Sequence, residues 1–155
     1  MKIRRKRDAA LTRATVLKAA EQLFAEHGFD GVSMRDVARR SGISQPLIFH
    51  HFGTKARLYE AVKCRAMQRF ETIWPRSDLQ QSTLEALRSA IRNAVGRLAE
   101  DRNVLRLASW SRLENDRALW PGEERLMREV SRHLAAGQQA GWLRRDVDPL
   151  LLTIM

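Results

Sequence analysis

The segment 33–55, SMRDVARRSGISQPLIFHHFGTK, constrains this chain more than any other. Ser33 is placed to cap a helix, and Asp36, three residues on, brings negative charge to its first turn. Met34, Val37 and Ala38 give that helix one apolar stripe, and Gly42 supplies the left-handed residue that a helix end favours. Ser44 then caps a second short helix with Pro46 inside its first turn, where no amide hydrogen bond is lost. Leu47, Ile48 and Phe52 are expected to turn inward, leaving Gln45, Phe49, His50 and His51 partly outward. Gly53 ends this helix, and Thr54 caps another that opens at Lys55. Two helices this short, joined by a glycine-containing turn, form a helix-turn-helix pattern, whose second helix enters the DNA major groove.

The same residues resemble the TetR-like family of bacterial transcriptional regulators. The resemblance rests on Ser33, Val37-Ala38, Ser41-Gly42-Ile43-Ser44, Leu47-Ile48-Phe49, His51-Phe52 and Thr54-Lys55. Upstream, Ala19-Ala20, Leu23-Phe24, Gly28-Phe29 and Val32 fit the family's first helix and its exit. Many positions agree at fixed spacing without gaps, over roughly the first third of the chain. One departs: the family usually has Tyr where this chain has Phe49. The tyrosine hydroxyl commonly touches a DNA phosphate, so one polar contact is lost here.

Composition agrees with a polyanionic partner. Net charge is +10, and residues 1–60 hold 12 Lys/Arg against 6 Asp/Glu, the remainder 16 against 12. A single cysteine excludes an internal disulfide and suits a reducing cytoplasm. Cys64 has no nearby His or Asp partner in sequence and reads as a structural thiol. No apolar run reaches the roughly 18 residues of a membrane span. The basic N-terminus lacks the apolar stretch of a signal peptide.

Residues 2–7, KIRRKR, read as a basic arm ahead of a first long helix over 9–27. Such an arm is either a solvated tail or a contact to phosphate or the minor groove. Beside a DNA-binding motif the second is favoured, with Arg4, Arg5, Lys6 and Arg7 as candidates. Ser33 and Arg35 are placed for phosphate contact, while Arg39 and Arg40 can be solvated instead. Ser44 and Gln45 open the recognition helix, where base edges are met; Gln can pair bidentately with adenine. Leu47 meets either a thymine methyl or the core. Pro46, Phe49, His50 and Thr54 complete the outward set. His50 and His51 point about 100° apart on a helix and do not converge on a metal, and no HExxH or Cys/His cluster exists. The family resemblance implies DNA contact at His51. Lys55 stands where its ammonium and the helix amides both face phosphate.

Beyond residue 55 every pattern is helical. Leu58, Val62, Ala66, Phe70 and Ile73 mark a fourth helix over 55–74, which in the family links head to body and tilts on ligand binding. Pro75-Arg76-Ser77-Asp78 breaks it. Leu84, Leu87, Ile91, Val95 and Leu98 predict the inward stripe of a fifth. Val104, Leu107, Ala108 and Ser111 mark a sixth; Leu126, Val130 and Leu134, after Pro121 and before Gly141, mark a seventh. The fold class expected is all-α: a helix-turn-helix DNA-binding domain over 1–54, then a helical ligand-binding and dimerisation domain over 55–155. Asp148-Pro149 looks like a helix start, so LLLTIM at the end would leave the family's C-terminal dimer helices truncated.

The resemblance implies a transcriptional repressor. It would bind a near-palindromic operator in double-stranded DNA as a homodimer and leave it when a small-molecule effector of unknown class binds the body. Met67, Phe70, Trp110, Trp120 and Met127 are effector-site candidates, though apolar residues at helical spacing are as a rule core. Two other readings compete. One is a protein-interaction module on a degenerate head, suggested by Phe49 but opposed by Ser44, Gln45, His51 and Lys55 together. The other is a small helical enzyme, opposed by the lack of a nucleophile–base constellation, a phosphate-binding glycine loop or a ligand cluster. No cofactor motif is present.

Overall fold

The computed structural model describes residues 2–73, 83–114, 120–146 and 148, with their side chains except those of 2–7, 70–73 and 97. The described residues form helices and turns without a strand, as the all-α reading requires. The helices are α1 (Lys2–His27), α2 (Met34–Ser41), α3 (Gln45–Phe52), α4 (Lys55–Ile73), α5 (Leu84–Glu100), α6 (Arg102–Leu113) and α7 (Glu123–Gln139). They fall into two compact units: Met1–Arg65 with Arg102–Ala118, and Ala66–Asp101 with Leu119–Met155. This differs from a division between residues 54 and 55, because the first turns of α4 and all of α6 pack with the head.

In the first unit, α1 lies against α2 and α6, and α2 against α3. Its core is large and apolar: Val16, Phe24, Val37, Ile48, Leu58, Val62 and Leu107 expose nothing. Burying each such side chain contributes about 1.5–3 kcal/mol. Val16, Ala20, Leu23 and Phe24 form the α1 stripe as expected, with Leu17 half-buried. α1 is longer at its start than expected. Residues 2–7 are its first turns and not a separate arm, since Lys and Arg are good helix formers and no Gly or Pro lies between residues 2 and 27. Gly28 ends α1 at φ 73°, its N–H donating to the Phe24 carbonyl at 2.9 Å.

The second unit has a thinner core among the described residues: Ala66, Met67, Ala90, Ala94, His133, Leu134 and Gly137. Here the expected α5 stripe is corrected. Leu84, Ile91 and Val95 are 39%, 49% and 61% exposed, whereas Ala90 and Ala94 are buried and Leu87 and Leu98 half-buried. Residues 87, 90, 94 and 98 share a face too. Its alanines permit a closer approach than the branched side chains about 100° away. Asp101 accepts from Arg69 Nε and lies 3.0 Å from its Nη2, tying the loop after α5 to α4. Gly137 carries no side chain because the Trp142 ring occupies that space, and the Gly137 carbonyl accepts the Trp142 and Leu143 amides at 3.2 Å. The expected break at 75–78 and the tail from Pro149 onward lie outside the described residues.

Candidate nucleic-acid interface

The interface is built on α2, the turn after it, and α3. Ser33 caps α2 in both directions. Its hydroxyl accepts the Asp36 amide at 3.2 Å, and Asp36 Oδ2 accepts the Ser33 amide at 3.0 Å. The Ser33 hydroxyl beside Asp36 holds this carboxyl below the usual carboxylate range, helped by the Ser33 amide and more weakly by Arg39 and Arg35. α2 stops at Gly42, φ 70°, whose N–H reaches the Ala38 carbonyl at 3.0 Å. Ser44 opens α3 with extended backbone. Its carbonyl accepts the Ile48 amide at 3.1 Å, while its hydroxyl makes no capping bond.

Two side chains anchor α3: Ile48 exposes nothing and Phe52 only 5%. Phe52 is covered from its other side by the Arg13 guanidinium, 4.5 Å from the ring centroid. A helix pinned along residues 48 and 52 turns 46 and 50 directly outward, with 47 and 49 on the flanks. The structure follows this. Ser44, Pro46, Leu47, Phe49 and His50 are exposed, and Gln45 and His51 half-buried. Leu47 is 40% exposed, so of its two readings the outward one matches its place and its expected inward turn does not. The rings of His50 and His51 are 5.6 Å apart at 69°. Among the described residues, no three His, Cys, Asp or Glu side chains gather to hold a metal.

The flanking candidates divide. On α2, Arg39 pairs with Asp36 at 2.7 Å and Arg40 with Glu26 at 3.1 Å, whereas no ion pair holds exposed Arg35 among the described residues. Thr54 caps α4, its Oγ1 accepting the Arg57 amide at 3.1 Å. Lys55 is half-buried and lies with its Nζ 4.2 Å above the Phe29 ring. Arg4, Arg5, Lys6 and Arg7 lie in the first turns of α1, their side chains outside the described set. The candidates from Ser33 to Lys55 thus come from one continuous supersecondary unit on a rigid core.

Of the effector-site candidates, Met67 is buried in the second unit, and Trp120 and Met127 are half-buried in it. Trp110 belongs to the first unit. It lies against Gly28 and lines a cleft of about 400 Å³ with Ala25, Glu26, Arg106, Ser109 and Leu113. The Phe70 side chain lies outside the described set.

A short glycine turn between α2 and α3, two buried anchors on α3 and an outer face that mixes Ser44, Gln45 and His50 with Leu47 and Phe49 define a helix-turn-helix DNA-binding protein. Its relatives agree. The family profile of bacterial regulatory proteins of the tetR family matches residues 16–62. The HTH-type transcriptional repressor AcnR of Corynebacterium efficiens is 30% identical over 141 residues, 88% of this chain and 71% of that protein. The chain therefore belongs to the tetR family of bacterial regulatory proteins and is a DNA-binding transcriptional regulator. Two solved structures share the fold. One is the repressor SmeT of the Stenotrophomonas maltophilia multidrug efflux pump SmeDEF, with TM-score 0.67, 22% identity and coverage of 92% of this chain and 71% of SmeT. The other is AibR in complex with isovaleryl coenzyme A and operator DNA, with TM-score 0.72, 20% identity and coverage of 92% and 80%.

Sequence reasoning missed the residues that tie the motif to α6. Glu114 accepts the Phe29 amide at 2.7 Å and the Asp30 amide at 3.3 Å. Tyr59 and Ser111 share a hydrogen bond at 3.3 Å, which joins α4 to α6. Glu114 and Phe29 are 85 positions apart, so no local pattern could have joined them.

Proposed function

We propose that this chain is a repressor that binds a near-palindromic operator as a homodimer and is released by a small-molecule effector. The outward face of α3 carries the reading: Ser44, Gln45, Pro46, Leu47, Phe49 and His50 surround two buried anchors. In this reading Gln45 pairs with adenine, Leu47 and Phe49 meet thymine methyls, and Ser33, Arg35, Thr54, His51 and Lys55 meet phosphates. The basic first turns of α1 add sequence-blind attraction through Arg4, Arg5, Lys6 and Arg7. A dimer is required because two α3 helices must stand about one DNA turn apart to reach successive major grooves. An effector releases DNA only if it binds the non-DNA-binding state more tightly, and AibR, caught with a coenzyme A thioester and operator DNA, supports that a protein of this fold holds both. Such a regulator works in the cytoplasm and performs no catalysis; among the described residues no helix is long and apolar enough to cross a membrane.

The test is binding to palindromic duplexes selected from random DNA, at several salt concentrations, with the solution mass recorded alongside. A two-fold-symmetric site bound by a dimer supports the reading. Weak, sequence-blind binding by a monomer overturns it for this chain. The exposed apolar pair Leu47 and Phe49 favours one rival, a protein-docking face. Lys55→Glu separates the two, since it sharply weakens genuine operator binding and leaves protein docking largely unchanged.

A further inference from the structure

We propose that Glu114 is a positioning residue for DNA binding: from the end of α6 it holds the α1–α2 turn and, through Phe29, sets Lys55. This rests on the operator-binding reading above. The Glu114 carboxylate takes two successive backbone amides, Phe29 at 2.7 Å and Asp30 at 3.3 Å. Hydrogen bonds to an ionised acceptor are roughly twice as strong as neutral ones. The turn is shaped to admit it. A Cβ on Gly28 would stand 2.5 Å from Glu114 Oε1 and 2.8 Å from Trp110 Cε3, and the residue sits at φ 73°. Glycine is therefore needed twice at this position, for conformation and for space.

The clamp passes to Lys55 through one ring. With its amide fixed, Phe29 lies 6.2 Å from Phe24 and 5.1 Å from Tyr59, centroid to centroid, and Tyr59 is tied to α6 by Ser111. Lys55 Nζ rests on the Phe29 ring at 4.2 Å. A flexible ammonium is thereby held at the start of α4, immediately after the recognition helix, before DNA arrives. Holding it there removes part of the side-chain entropy that phosphate contact would otherwise cost. A ring on an unclamped turn holds nothing in place.

A double-mutant cycle on operator affinity tests this, using the full chain and the duplex selected above. Glu114→Ala is expected to weaken binding about tenfold in the wild-type background and less than about twofold in Lys55→Ala. Glu114→Gln keeps an acceptor for the Phe29 amide and should restore most of the loss. A merely structural role predicts the same fold-change in both backgrounds, and that result overturns the proposal. Amide hydrogen exchange gives an independent reading. Phe29 and Asp30 should exchange faster in Glu114→Ala than in wild type, and unchanged protection would show that the clamp does not exist in solution. If Glu114→Ala does not fold, Glu114→Asp, one methylene too short to span both amides, takes its place in the cycle. Failure of wild type to select any duplex would count against the operator reading itself, while the exchange data would still report on the clamp.

Discussion

In the unit that carries the helix-turn-helix, Phe24, Ile48, Leu58 and Leu107 expose no surface at all, whereas in the other the described apolar side chains that expose none are those of Ala66 and Ala90. The first unit has a core of large, interlocked side chains with few alternative packings. Among its described residues the second fully buries only alanine side chains, keeps Met67 and Leu134 slightly exposed, and leaves Ile91 and Val95 49% and 61% exposed on α5. Reading a base sequence needs side chains held within a fraction of an ångström, and such precision comes from rigid support. A region that must respond to a ligand is drawn from the less tightly packed part of a molecule. The contrast in core composition thus parallels the division of labour proposed above.

The largest expected effect probes the supporting core. Ile48→Ala removes the anchor under the recognition helix and should cost about 2–5 kcal/mol of stability, measured by urea unfolding. Operator binding should fall with it even where the variant is still mostly folded, because α3 loses its seat. An Ile48→Ala variant that binds at wild-type affinity would show that α3 is positioned by something other than its core contact.

Next comes the reading face. Gln45→Ala should cost about 1–3 kcal/mol and relax preference at one base pair, while Arg35→Ala should weaken all duplexes alike and reduce the salt slope by about 1. Titrations of matched and single-mismatch duplexes across salt distinguish the two. If Gln45→Ala leaves every mismatch penalty intact, Gln45 does not read a base.

The two regions also differ in how much of them could be read from the chain. The helix-turn-helix was legible because its determinants are local: Ser33 and Asp36 are three residues apart, Gly42 ends one helix and Ser44 opens the next, and each does so in the structure. Periodicity also placed α6 well, with Leu107 and Ser111 buried as expected. It failed on α5, where the hydrophobic pattern marked Ile91 and Val95 and the structure buries Ala90 and Ala94 instead. A helix with apolar residues on two faces does not declare which faces its partner; only tertiary packing decides. The Glu114 clamp was illegible for a related reason. One carboxylate on a surface helix end looks like any other until the turn that it meets is known.

A smaller effect tests the cap. Ser33→Ala should cost about 1 kcal/mol. The Asp36 carboxyl is held below its ordinary range, so its bonds contribute stability above that range and lose it as pH falls through the folded-state value. Removing Ser33 removes the largest cause of that depression. Unfolding measured at neutral and at acidic pH should therefore show a gap between wild type and Ser33→Ala that narrows in acid. A gap that widens in acid would mean that Asp36 is not stabilised as a carboxylate by this contact.

The smallest expected effect is the one that could undo the comparison. Val95 is 61% exposed, so Val95→Thr, which keeps the shape and adds a hydroxyl, should change stability by no more than about 0.5 kcal/mol. At a covered site the same hydroxyl, left without a partner, would cost about 1–3 kcal/mol. A loss of that size would mean that this face of α5 meets another surface in solution, and the thin core of the second unit would then be a property of the isolated chain. Repeating the unfolding across protein concentration separates the sources. A cost that grows with concentration places a second copy on α5, because only wild type gains stability from mass action there. A cost independent of concentration places the cover within the chain itself. A null result at every concentration leaves Ile91 and Val95 facing water, and the rigid head and the loosely packed body stand as two differently built halves of one regulator.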